Sequence, residues 1–247
     1  MQTLAYQWQV DGQPHALRMV HIAGTRGQPY AFGAGSERAL IEVRDFYLAE
    51  TTATQALWNH VMGGGNNPAL NRGLTLPQEN VSWDALLSAD GFLQRINSSV
   101  IHTQLELGKA RFRLPTETEW EYAARGGPHW RNGFSHSGSN DIEAVAWYDR
   151  RHGDHTQPVA QKAPNQLGLY DMSGNVWEWC QDVHTPDVRQ IPADGSAYAG
   201  AGAERIWRGG CFHNWAMHCT VHKRYALPSD AHDGCVGFRL ALSAEHS

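Results

Sequence analysis

Three of the four cysteines, Cys211, Cys219 and Cys235, fall within residues 211–236, together with His213, His218, His222 and His232. Thiolates and imidazoles are the ligands that zinc and copper select, and a thiol beside an imidazole is also how a cysteine nucleophile is activated. Cys219 and His222 have ligand-pair spacing, but no second pair repeats it, so the pattern does not spell a zinc finger. The stretch contains no Glu or Gln, and its apolar, aromatic and small polar residues follow neither a helical nor a strand period. It reads as a surface rather than as an element. A metal or thiol site and a set of scattered surface residues both stay open on these residues alone.

A second chemical candidate lies upstream in Asp171-x-x-Gly174-Asn175-Val176-Trp177-Glu178. Two carboxylates on a turn that also exposes carbonyls offer the oxygens calcium requires. The plainer reading is that both carboxylates bond the turn's own amides. Trp177 and Trp179, alternating beside Gly174, read as packing residues.

These candidates need a frame. Residues 205–208 and 236–242 read as strands on either side of the 211–236 stretch, the second alternating with period two. Upstream, residues 15–22 and 39–48 read as strands. Thr52 with Gln55 gives a capping-box pattern, Leu57, Trp58 and Val61 supply an apolar face, and Gly63 closes the helix. Ser82 caps a helix predicted over 83–96, with Gly91 as its weak point. In RFRLPTETEWEYAARGG, Thr116 and Glu119 form a second capping box and Gly126 ends the helix, with Trp120, Ala123 and Ala124 facing inward. Short strands are predicted at 145–148 and 158–161. Arg111, Arg113 and Arg239 are expected as buried frame residues paired with acids such as Glu119 or Glu121.

At 247 residues, with ten Trp and 10% aromatics, the chain can bury a sizeable core. No internal repeat or composition break divides it, so one domain over 1–247 is expected. A net charge of −5 argues against nucleic acid as a partner, because phosphate binding needs a basic field. No apolar run is long enough to span a membrane. The stretch MQTLAYQWQVDGQ has neither a basic nor an apolar leader region. With four cysteines, a reduced, cytoplasmic protein is the default expectation.

Taken in order, RLPTETEWEYAARGG, GLYDMSGNVWEW and WRGG…GFRLAL resemble the formylglycine-generating-enzyme/sulfatase-modifying domain. MVHIAG, FYLAETTATQALWNHVMG and LPQENVSWDAL extend that resemblance over nearly the whole chain. The resemblance implies an α+β, C-type lectin-like fold in its formylglycine-generating variant, loop-rich, with short helices and small antiparallel sheets. It also implies a structural calcium ion held by side chains at Asp171 and Glu178 and carbonyls at Gly174 and Val176.

Members that oxidise cysteine bind copper through two cysteines in the closing segment. Aligned on Gly209-Gly210, the second matches Cys219, the first falls on Asn214, and a nearby serine becomes Cys211. Asn214 cannot supply a thiolate. An oxidase acting on cysteine or small thiols through Cys219 and Cys211, with copper, is therefore the rival reading, and a catalytically dead partner subunit a third.

The closing segment is more similar to the variable proteins of diversity-generating retroelements, which keep RGG and GFRLAL around a stretch rewritten at template adenines. Rewriting the adenines of an AAC codon reaches every residue type except Trp, Met, Lys, Glu and Gln. Within 211–236 only Trp215, Met217 and Lys223 fall outside that set. Ala216, Arg224 and Gly237-Phe238-Arg239 read as constant positions. The expectation is non-catalytic binding of a protein or other macromolecule. The residues expected to make that contact are Phe212, His213, Asn214, Trp215, His218, Thr220, His222, Tyr225, Leu227, Ser229, Ala231, His232 and Asp233, with 205–242 as the binding segment.

Overall fold

The computed structural model describes residues 2–243; the domain expected over 1–247 reaches past them at both ends. The chain opens with a hairpin of β1 (Thr3–Val10) and β2 (Gln13–Ile22), in which Tyr6, Trp8, Leu17 and Met19 alternate inward with period two. A small hairpin of β3 (Tyr30–Ala34) and β4 (Glu37–Ile41) precedes β5 (Phe46–Ala49). The run predicted as one strand over 39–48 is thus two strands in different sheets.

Helix α1 (Gln55–Met62) is capped by Thr54, whose hydroxyl accepts from the Leu57 amide, and closes at Gly63 with φ 79°. Thr52 does not cap it; that hydroxyl donates to Glu178. Gln55 turns to the Asn71 and Pro77 carbonyls instead of closing a capping box. The helix predicted over 83–96 is two, α2 (Trp83–Leu87) and α3 (Phe92–Asn97), with Ser82 and Gly91 as N-caps. At Gly91 a Cβ would collide with carbonyls of Ala85 and Leu86, so the chain breaks where only glycine fits.

After α4 (Val100–Gln104) and β6 (Phe112–Arg113) comes α5 (Glu117–Ala124), with the full Thr116–Glu119 capping box expected of it. Residues 145–148 end a short helix, α6 (Ile142–Val145), and hold one isolated bridge from Trp147 to Gly174; residues 158–161 form no strand. The last elements are β7 (Trp177–Val183), β8 (Glu204–Arg208), β9 (Arg224–Pro228), β10 (Val236–Phe238) and β11 (Ala241–Ser243).

Three small sheets result. One runs β1-β2-β5-β11-β6, one β10-β7-β8-β9, and the third is β3-β4. The β10–β7 pair is parallel, and the other pairs are antiparallel. Together with short helices this is the loop-rich α+β architecture expected from the sequence.

The core is aromatic. Trp58 stacks on Phe92 at 5.3 Å, and Phe238 meets Phe92 edge-on at 5.0 Å. Trp177 and Trp179 are buried as expected, both contacting Trp207 of β8. Among the described residues no helix is long and apolar enough to cross a membrane.

Candidate functional site

The 211–236 stretch hangs between buried arginines. Arg208, the last residue of β8, is fully buried; it donates to Glu117 and Glu121 of α5 at 2.7 Å each and to the Val221 carbonyl at 2.7 Å. Arg224, opening β9, grips the same Glu117 carboxylate with Nε at 2.7 Å and Nη2 at 2.8 Å. Burial pushes the Glu121 carboxyl up, but the Arg208 and Arg125 guanidinium groups hold it below the usual carboxylate range. Arg239, beyond β10, is also fully buried and pairs with Glu178, not with Glu119 or Glu121. It further donates to the carbonyls of Ala49, Glu50 and Tyr170. Arg113 does pair with Glu119, at 2.7 Å. Arg111 is exposed and contacts His102 and nearby carbonyls. At Gly210, φ is 80° and a Cβ would come within 2.6 Å of Cys219 Sγ, so glycine sets how the chain leaves the frame.

Between these anchors most of the expected contact residues reach the surface. Trp215, Tyr225, His232 and Asp233 are exposed, while His213, Asn214, His218, Thr220, His222, Leu227, Ser229 and Ala231 are half-buried. Phe212 is the exception. It is 7% exposed and belongs to the main core, because its amide bonds the Asn175 carbonyl and turns the ring inward beside Cys211. Met217, absent from the expected set, is 62% exposed, close to the 66% of Trp215. Its burial could not be read from a segment without a period.

An aromatic chain supports this face from below. Trp179 stacks on Trp207, Trp207 contacts Trp177, and Trp177 meets Tyr225 edge-on at 5.0 Å. The Tyr225 hydroxyl then lies 3.0 Å from His218 Nδ1. The exposed tyrosine thus stands on packed rings rather than on a free loop.

The thiol chemistry is arranged differently from the Cys219–Cys211 pairing expected under the oxidase reading. Cys211, His213 and Cys235 bring their ligand atoms within 4.8 Å of one another. His213 Nδ1 lies 3.7 Å from Cys211 Sγ and 3.0 Å from Cys235 Sγ. Cys219 is not part of this group; it packs with Ala146 and Tyr148, and burial pushes its thiol up to about 12. A thiol so protonated is a poor nucleophile and ligand. Burial also acts on Cys211, but hydrogen bonds from Cys235 and His213 bring it below the ordinary thiol value, while the bond to Cys211 and burial raise Cys235. Asn214 Oδ1 accepts the Cys211 amide and stands 3.0 Å from its sulfur, so the protonated thiol donates to Asn214 and the thiolate takes its donors from the other two residues.

At the upstream turn, Asp171 (φ 56°), Gly174 (φ 77°) and Asn175 (φ 63°) adopt left-handed backbone. Asp171 Oδ2 accepts the Ala160 amide, Oδ1 is buried without a partner, and burial pushes the carboxyl up to about 6. Glu178 is committed elsewhere. Its two oxygens receive Thr52, Trp120 and the Arg239 guanidinium. The turn therefore offers a cation one free carboxylate oxygen and sets a fixed positive charge against the other carboxylate. Calcium needs several free oxygens, and of the two carboxylates expected to supply them only Asp171 keeps one, Oδ1.

The model of the sulfatase-modifying factor enzyme 1-like domain matches residues 11–244. The chain belongs to that family. Among curated proteins, it is 34% identical over 184 residues to the chaperone protein LppX of Paenibacillus barcinonensis, covering 59% of this chain and 65% of that protein. It is 36% identical over 157 residues to the formylglycine-generating enzyme of Streptomyces coelicolor, covering 54% and 47%. The matches thus span about half to two thirds of those relatives. Among solved structures, variable protein 1 of Treponema denticola superposes with a TM-score of 0.80 and 27% identity, covering 98% of this chain and 99% of that one.

Proposed function

We propose that this member of the sulfatase-modifying family is a diversity-generating-retroelement variable protein that binds a protein or other macromolecule, without catalysis, through the surface of residues 211–236. The observation that carries the reading is a partition within that segment. Residues tied into the frame, Arg208, Gly210 and Arg224 at its start and middle and Arg239 at its end, are hydrogen-bonded to α5 and β7 or sterically required. Between them, every residue expected to make contact except Phe212 is exposed or half-buried, and those residues share no period. A surface so built tolerates exchange, since substitutions away from buried features change stability by about 0.5 kcal/mol or less. Exposed Trp215 and Tyr225 among Asn, His, Thr and Ser supply rigid aromatic anchors with adaptable polar neighbours, as a paratope does. Likeness to the Treponema variable protein over nearly the full length of both chains supports the same reading.

The oxidase reading is less favoured, because the cysteine aligned with a copper ligand, Cys219, is buried with a raised thiol and stands outside the cysteine–histidine group. The test is a library in which codons 214, 218, 220, 222, 227, 229, 231, 232 and 233 are randomised. Most members should fold, and binders to unrelated proteins should be selectable from it. A library in which few members fold would defeat the reading.

A further inference from the structure

Cys211 directly follows the Gly209-Gly210 exit from β8, and Cys235 directly precedes β10, so the two thiols mark the two ends of the variable stretch. We propose that Cys211, His213 and Cys235 form a binding site for a thiophilic metal ion, zinc(II) or copper(I), that ties those two ends together. Both ions favour sulfur and imidazole donors, and both accept three protein ligands.

The geometry is close to what such an ion needs. Bonds of about 2.3 Å to sulfur and about 2.0 Å to nitrogen hold neighbouring ligand atoms roughly 3.5–3.8 Å apart in a tetrahedral site. Cys211 Sγ and His213 Nδ1 already stand 3.7 Å apart, and the 3.0 Å separation of Cys235 Sγ from His213 has to open modestly.

Neighbouring groups position the ligands. Asp233 Oδ1 accepts the Cys235 amide at 2.6 Å and fixes the backbone there. Asn214 does the same for the Cys211 amide at 3.1 Å. Such outer contacts orient ligands before the ion arrives. Buried Glu79 Oε2, with no partner of its own, lies 3.9 Å from where a Gly234 Cβ would be and adds negative charge beside Cys235. The opposing charge, Arg150, is exposed and paired with Asp154 at 2.9 Å. His213 itself is half-buried, which leaves the site an open side.

The site takes no ligand from the Asn214 and Cys219 positions that align with the family's copper ligands, Asn214 only orienting Cys211, and it does not depend on the binding reading. The experiment is metal uptake by the full chain after reduction and chelation, using cobalt(II) as an optical probe, then zinc(II), then copper(I) against a competing chelator without oxygen. The expected result is one equivalent of cobalt(II) with intense sulfur-to-metal absorption, displaced by zinc(II) or copper(I), whichever binds more tightly. Cys211→Ser and Cys235→Ser should lose it, and Cys219→Ala should keep it. Uptake that survives both serine variants, or that is lost only in Cys219→Ala, overturns the proposal, as does no uptake at all. Should a serine variant fail to fold, His213→Ala at its half-buried position decides: a tenfold or greater loss of affinity supports the site, and unchanged affinity overturns it.

Discussion

Glu117 holds both arginines that bracket the start and middle of the 211–236 stretch: Arg208 Nη1 at 2.7 Å from Oε1, and Arg224 Nε and Nη2 at 2.7 and 2.8 Å from Oε1 and Oε2. One carboxylate on α5, 1% exposed, thereby fixes where the segment leaves β8 and where it re-enters the sheet as β9. Breaking a buried pair by removing one partner leaves an uncompensated charge and costs about 3–5 kcal/mol. Glu117→Ala should lower unfolding free energy by that order in urea titration. Arg224→Ala, at a partly exposed site, should cost clearly less. Equal losses would contradict the shared-anchor account.

The same logic separates surface from frame inside the segment. Trp215→Ala and Met217→Ala, at exposed positions, should each shift stability by about 0.5 kcal/mol or less. Phe212→Ala should cost about 3–5 kcal/mol, because it empties part of the core. Melting curves of the three variants decide the point, and a costly Trp215→Ala would show that the surface is structural.

Two buried carboxyls set a pH dependence. Burial, with the nearby Glu117 charge, raises Asp182 to about 7, and burial raises Asp171 to about 6, both above the ordinary value near 3.8. Groups raised on folding bind protons in the native state, so their contribution is fully present below about pH 4 and is lost as pH rises through 6 to 7. A tenfold difference in proton affinity between the folded and unfolded chain corresponds to about 1.4 kcal/mol. Asp182→Asn should therefore flatten the fall in stability between pH 5 and pH 8 relative to the natural chain, even though it starts from a lower value. Parallel pH profiles would contradict the assignment.

Local signals in the sequence were reliable where the physics is local. The Thr116–Glu119 capping box, the Ser82 cap and the inward Trp177 and Trp179 stand as read. Arg113 also found Glu119, six residues away. Failures came where a contact outside the local sequence pattern decides. Thr52 leaves its helix for Glu178, a carboxylate 126 residues away that also receives Trp120 and Arg239. Gly91 breaks a periodic helix because carbonyls of the preceding turn occupy the place of a side chain.

The candidate site follows the same pattern. The exposure of most residues expected to make contact was legible as a stretch without a period, but Phe212 went inward and Met217 outward for reasons of backbone direction that composition does not carry. The meeting of His213 with Cys235, separated by 22 residues, depends on where β10 pairs with β7.

Whether a fixed frame carries a rewritten surface is tested most directly by the nucleotide sequence of the locus. A non-coding near-copy of the 3′ coding end is expected there, differing from the gene only where the copy has adenines. Those differences should fall in codons for surface residues such as Asn214, His218 and His222, and spare the codons of Arg208, Gly210, Arg224 and Arg239. A locus without such a copy, or one whose differences strike the frame codons as often as the surface ones, would contradict the account.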